Sequence, residues 1–281
     1  MSVALLADGS GNSGRLQVNG ADSILLLAGN APAPVVGGSR NLKASLTAAG
    51  SSVTYTADEI VVKKALGGTF ACLGAFSQTL NLATVGAGGM DTGAAPVSGF
   101  VAVYAGVDPT NGNRAIWARD ATSIAAPEVY AGGQASVAAY TLNALIGVLP
   151  TNGSGQLPIF CQVDRDVFYG ASSPLSTNTQ GAAQSFAIAT SVPKNAKKCQ
   201  GYAQIISSTT PSNLNAAIGP ILGGGLVGVS AYLSITNSAA LGGVMSGFSN
   251  LPILTPQTLG YTATASAGTM TLTVWISGYT F

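Results

Sequence analysis

The chain has 281 residues with 11 Lys and Arg, 10 Asp and Glu, a net charge of +1 and no histidine. Charged residues make up only 7% of it, where an ordinary soluble domain carries about 25%; 37 glycines and many Ala, Ser, Thr and Asn stand in their place. That balance excludes the clustered bases of a nucleic-acid footprint, and the missing histidine excludes Ser-His-Asp and Cys-His catalysis and removes the commonest metal ligand.

Little electrostatic energy opposes contact between such charge-poor surfaces, so an obligate oligomer is expected. The opening MSVALLADGSG has neither a basic leader nor a long apolar core, and no secretory signal is expected. Residues 1–40, with Gly, Asn and Ala-Pro-Ala-Pro around two short apolar runs, read as an attachment arm. A central β domain is expected over 41–170. In it GFVAVYAGV alternates cleanly and runs into DPTNGN, whose Pro fixes φ and whose Asn-Gly supplies positive φ. RAIWARD then returns as the partner strand. Pro-Thr-Asn-Gly recurs at Pro150–Gly153, between Thr141–Leu149 and Leu157–Tyr169, and predicts a second hairpin.

Within CQVDRDVFY lies an Asp-x-Asp pair, Asp164 and Asp166. On a strand the two sit roughly 6.5–7 Å apart at Cα, between the carboxyl separations of retaining and inverting glycosidases. Same-strand neighbours point in parallel, however, whereas those carboxylates approach the scissile bond from two sides. The competing reading is a polar outer strand face bearing Gln162, Asp164, Asp166 and Phe168, with charges that discourage edge pairing. Cys72, Cys161 and Cys199 are odd in number and form no CxxC, so they read as small hydrophobes or free thiols.

ASSPLSTNTQGAAQS, 171–185, reads as a linker. Beyond it no acid occurs, and the only bases are Lys194, Lys197 and Lys198. Strands SFAIATSV, CQGYAQIIS, VSAYLSIT and MTLTVWIS predict a C-terminal β-sandwich over 186–281. The uncharged run Ala216–Ile235 is long enough to span a bilayer, but Pro220 and its glycines argue against a helix, and no membrane insertion is expected. GGGLVG matches G-x-G-x-x-G, yet a strand-like segment follows and no acid lies downstream, so no dinucleotide site is read from it. No cofactor or metal is expected. Trp275 lies on the Thr/Ser face of the last strand and, with Tyr232 and Tyr261, offers rigid aromatic contact area for a sugar or protein.

The runs SRNLKASLTAAGSSVTYTADEIVVKKALGGTF and NLATVGAGGMDTGAAPVSGFVAVYAGVDPTNG, then APEVYAGG, ALIGVLPTNGSGQL and the closing WISGYTF, resemble the tail-fibre or tail-tip proteins of tailed bacteriophages and prophages. The likeness covers residues 39–281, and its motifs are structural, so no active-site residue carries over. It implies a virion protein made in the bacterial cytoplasm, a homotrimer whose distal domain contacts the host. The expected protein is therefore all-β, with antiparallel hairpins and a jelly-roll-like C-terminal sandwich, assembled as a trimer. Residues 1–40 would dock to other virion proteins. Trp275, Tyr232, Tyr261, Lys194, Lys197 and Lys198 would face a host-surface glycan or protein. Alternatives are a head fibre or capsid decoration protein, and a glycan depolymerase acting through Asp164 and Asp166.

Overall fold

The computed structural model describes residues 34–209, 213–229, 231–236 and 243–281. The expected arm lies outside the described residues up to residue 33. Strands β1 (Ser39–Arg40), β2 (Lys43–Leu46), β3 (Ser52–Lys63) and β4 (Phe70–Asn81) are followed by β5 (Phe100–Val107) and β6 (Arg114–Asp120). A short 3-10 turn at Ala135–Val137 precedes β7 (Leu142–Pro150), β8 (Phe160–Val163) and β9 (Asp166–Thr177). Next come β10 (Gly181–Ala187), β11 (Lys198–Ser207), β12 (Asn213–Gly219), β13 (Ile221–Leu222) and β14 (Gly225–Leu226). The last four are β15 (Ala231–Thr236), β16 (Gly243–Pro252), β17 (Thr258–Ala265) and β18 (Met270–Thr280). The fold is all-β with antiparallel sheets, as the composition and alternation predict.

One twelve-stranded sheet runs in the order β16-β11-β18-β9-β8-β2-β3-β7-β5-β6, with β1 and β4 also paired to β3. A four-stranded sheet, β10-β17-β12-β15, covers its C-terminal portion. The two layers bury Ala203, Ile205, Leu272, Val274 and Ile276 from one side and Leu214, Ala216, Leu233, Leu259 and Ala263 from the other, in a single core cluster. Fully burying a Leu, Ile or Val side chain contributes about 1.5–3 kcal/mol, so this inner face is what holds the sandwich shut. In the first half every residue of β5 is buried; β6 and β7 pair its two edges, and Tyr130 packs edge-on against Tyr104 and its cross-strand partner Trp117.

The first Pro-Thr-Asn-Gly does make a hairpin. Asp108 N–H donates to Asn113 O at 2.9 Å, Gly112 N–H donates to Asp108 O at 2.8 Å, and Gly112 takes φ +79°. The second does not, although its chemistry is the same. Asn152 Oδ1 accepts from Ser154 N–H and Gln156 N–H, while Thr151 donates to Pro96 O and accepts from Gly99 N–H. These bonds tie the loop to residues 96–99, and β5 already occupies the ladder of β7. Strand β8 therefore leaves to pair with β2 and β9.

Other sequence expectations change as well. Residues 171–177 are the second half of β9, and 181–185 lie in β10, so the stretch read as a linker is mostly sheet. Glycines Gly223 (φ +60°) and Gly224 (φ +81°) form the turn of the β13–β14 ribbon. The described part of the long uncharged run is short strands joined by turns, and among the described residues no helix is long and apolar enough to cross a membrane.

Asp164 and Arg165 form the two-residue turn between β8 and β9. From this turn the Arg165 guanidinium donates to both carboxylate oxygens of Glu128, at 3.0 and 2.6 Å, and reaches Leu145 O at 3.4 Å. Its carbon lies 5.2 Å from the Phe281 ring centroid, and Phe281 N–H donates to Arg165 O. Gly37 is required beside it: a Cβ there would come 2.4 Å from Nη2, and its φ is +69°. The Arg165→Ala change strands a part-buried carboxylate; discounted for partial solvent access, the cost is about 2 kcal/mol. Urea denaturation measures it, and a loss below about 0.5 kcal/mol, the size of a neutral surface change, would show that the clasp carries no stability.

Candidate functional site

Antiparallel register decides which side chains stand together on the outer face of the β16-β11-β18-β9 layer, because directly paired residues share a face. Three rows result. Gly243, Ile206 and Thr271 form the first, and Met245, Gln204, Thr273 and Ser176 the second. Gly247, Tyr202 and Trp275 form the third. No row contains a charged residue. Met245 is 57% exposed and Ile206 41% exposed. Tyr202 and Trp275 are half-buried and stack across the strands with ring centroids 5.0 Å apart and planes 19° from parallel. Their stacking fixes both rings. Gly247 brings no side chain against Tyr202, so the row is open toward β16.

The tight register behind this pair has its own requirement. Strand β11 shifts register between Gln200 and Gly201, and a Cβ on Gly201 would stand 1.9 Å from the Trp275 carbonyl oxygen. Only glycine fits there. The sequence picks out Trp275 from the alternation of β18. The partner Tyr202 escapes that reading, since its importance lies in a cross-strand register, which local alternation does not encode.

The remaining predicted site residues are scattered. Tyr232 is 67% exposed on β15, the edge strand of the other layer, opposite Ala217. Tyr261 corrects an expectation: it is buried, packed edge-to-face on Phe186 with centroids 6.0 Å apart, so it presents nothing to a partner. Its β17 position faces the sandwich interior, where an aromatic fills core volume. Lys194, Lys197 and Lys198 are exposed, but their loop is a strap between the halves. Lys194 Nζ donates to Ser123 O at 2.7 Å. Asn195 both donates to Ala126 O and accepts from Ala126 N–H, each at 2.8 Å. The backbone of Lys197 bonds Thr280 and Ile253, and Lys198 opens β11. Their side chains thus stand on a fixed strap, apart from the Tyr202–Trp275 row.

The Asp-x-Asp expectation also changes. Asp164 is in the turn, at φ +51°, with Oδ1 accepting from Ser39 Oγ and Leu42 N–H. Asp166 Oδ1 accepts from Thr280 Oγ1. The turn interrupts the alternation, so Gln162 faces inward and Val163 outward at 44% exposure. Gln162 is buried because its amide is needed there: Oε1 accepts from Tyr55 Oη at 3.0 Å, and Nε2 donates to Ile146 O and Asp164 O. A valine in that place would leave the Tyr55 hydroxyl and Ile146 carbonyl unpaired at depth.

Among the described residues no three His, Cys, Asp or Glu side chains lie close enough to hold a metal ion. Cys72 and Cys161 are exposed and Cys199 is buried. Burial, then the Glu59 carboxylate, raises the Cys72 thiol, and burial pushes Cys199 up to about 12. No family model and no curated protein matches the chain.

Two measurements check this geometry. A double-mutant cycle on Tyr202→Ala and Trp275→Ala should give a coupling of about 0.5–1.5 kcal/mol, the range for aromatic pairs beyond area burial; strictly additive losses would contradict the stacking. A thiol reagent at pH 8, read by intact mass, should label Cys72 and Cys161 in the folded chain and Cys199 only after denaturant. Folded-state labelling of Cys199 would mean that its strand opens readily.

Proposed function

We propose that the chain is a structural protein of a bacteriophage virion, a homotrimeric tail fibre or tail-tip protein that binds the host cell surface and is assembled in the bacterial cytoplasm. The observation that carries this reading is the outer face of the C-terminal sandwich. Its three rows from Ile206 to Trp275 carry no charge and are set with hydroxyls, an amide and the stacked Tyr202–Trp275 pair; the charged row Lys198–Thr280–Asp166 lies beyond them on the same strands. Interface cores are enriched in Tyr, Trp and Met and depleted in charged residues, and this face has that composition. Weak contacts from one copy become tight binding when three copies and many fibres act together.

The architecture supports the same reading. The chain passes between the layers β16-β11-β18-β9 and β10-β17-β12-β15 at β9–β10, β10–β11, β11–β12, β15–β16, β16–β17 and β17–β18. We read this alternation as an eight-stranded jelly roll, an architecture found in viral capsid and lectin domains. The resemblance of residues 39–281 to tail-fibre and tail-tip proteins adds the virion context, and residues 1–40 would supply the attachment to other virion proteins. On this reading Asp164 and Asp166 organise a turn and a strand edge, and the chain catalyses no reaction.

The test uses the purified full chain, alone and as a competitor for phage adsorption to host cells. Light scattering should give three times the 27.8 kDa chain mass. The double variant Trp275→Ser/Met245→Lys should stay folded and trimeric, yet lose competition by about tenfold or more, since central aromatic anchors dominate such contacts. Undiminished competition would remove this face from host binding. Immunogold labelling of intact particles locates the protein: gold at the tail supports the reading, and gold over the head replaces it with a head fibre or capsid decoration protein.

A further inference from the structure

Strands β2 and β3 meet at one residue pair, Lys43 opposite Thr56, and then part. Each strand keeps its full ladder on its other edge. Strand β2 carries its ladder to β8, from Lys43↔Val163 to Leu46↔Phe160, while β3 stays with β4 along its whole length. The wedge between them opens a cleft of about 370 Å³, a size within the range of small-molecule sites. Period-two alternation sorts its lining. Ala44 and Val53 are buried and form an apolar floor, and Ser45, Thr54, Thr56 and Thr79 stand exposed as a hydroxyl rim. Thr54 and Thr79 face each other across β3–β4 with their oxygens 2.8 Å apart.

Lys43 stands at the mouth as the one charged residue of the lining. Neither ion pair among the described residues includes it. The carboxylate next along β3, Asp58, is engaged by Arg40 and by Asn41 Nδ2, on the strand that precedes β2 and its connection. The cleft thus offers three things together: a strip of apolar floor, hydroxyls that can each donate and accept, and a single cation.

We propose that this cleft binds one sugar-sized polyol carrying a single anionic group, the shared chemistry of a uronic acid and a phosphosugar. The C–H face of the ring meets the Ala44–Val53 floor. Ring hydroxyls exchange hydrogen bonds with the serine and threonine rim, whose oxygens act in either direction. The carboxylate or phosphate lies on the Lys43 ammonium, a compact point charge suited to both. With no aromatic ring in the lining, single-site affinity is weak, and repetition of the chain in an assembly supplies avidity. The site is separate from the Tyr202–Trp275 face and stands whether or not that face meets a host.

The experiment is a ligand-observed NMR titration of the full chain at low ionic strength with glucuronate, glucose 6-phosphate and glucose. At least one anionic probe should bind about tenfold more tightly than glucose, a difference of the size one charge-assisted contact supplies. Preference for glucuronate identifies a uronic acid, and preference for glucose 6-phosphate a phosphosugar. In Lys43→Gln the anionic probe should fall to the level of glucose, and Thr54→Val should weaken all three, with circular dichroism unchanged in both. Equal binding of the three probes, no binding by any, or an anion preference that survives Lys43→Gln would each overturn the proposal. None of these results bears on adsorption by the C-terminal face, so the two readings fail separately.

Discussion

Arg165 occupies a two-residue turn, and what its guanidinium reaches locates the segments on both sides. A planar fork can satisfy both oxygens of Glu128 at once, and its face can still lie against Phe281. Four parts of the chain converge there: the segment at Gly37, the loop at Glu128, strand β7 at Leu145, and the last residue of the described chain. The other ion pair among the described residues, Arg40–Asp58 at 3.9 Å, is largely solvent-exposed and worth little. In a chain so poor in charge, a single well-formed pair does what networks do elsewhere.

Where charge is missing, amides and hydroxyls take over the joining of loops. Asn195 meets both backbone groups of Ala126 and so behaves as one rung of a ladder between segments that never pair as strands. Gln162 joins β8 to β3 and β7, and Asn143 accepts from Tyr130 N–H while donating to Tyr140 O. Such bonds contribute modestly when made, about 0.5–1.5 kcal/mol each, and cost more when one partner is lost at depth. They give geometric definition without long-range fields.

Local alternation was enough to read the β5–β6 hairpin, the inward Met270-Leu272-Val274-Ile276 row of β18, and the all-β class. It failed where a residue's direction is set by a distant partner. The second Pro-Thr-Asn-Gly has the same local chemistry as the first, yet Pro96 and Gly99 hold it in another path. Gln162 faces inward with Val167, its partner across the two-residue turn, and there it meets Tyr55, more than a hundred residues earlier. Of the candidate site, Trp275 was legible and Tyr202 was not, for the pair exists only through a register with a glycine bulge in it. Tyr261 misled because an aromatic on a strand looks alike whether it fills a core or meets a partner. Lys43 gave no signal at all: its cleft is made by two strands parting, and sequence patterns describe strands that pair.

Strand β9 pairs with β8 along one edge and with β18 along the other. The sheet therefore passes from the first half to the second without a seam, although the chain order suggests two separable pieces. Genetic exchange between related chains would meet this as a constraint. A crossover placed after Thr177 would bring Val167 and Ser172 from one parent against Tyr279 and Ile276 from the other. Only parents whose two strands are interchangeable could yield a folded hybrid. Heritable variation in the C-terminal half is thereby steered away from block replacement and toward substitutions on faces and loops that leave the shared ladder alone.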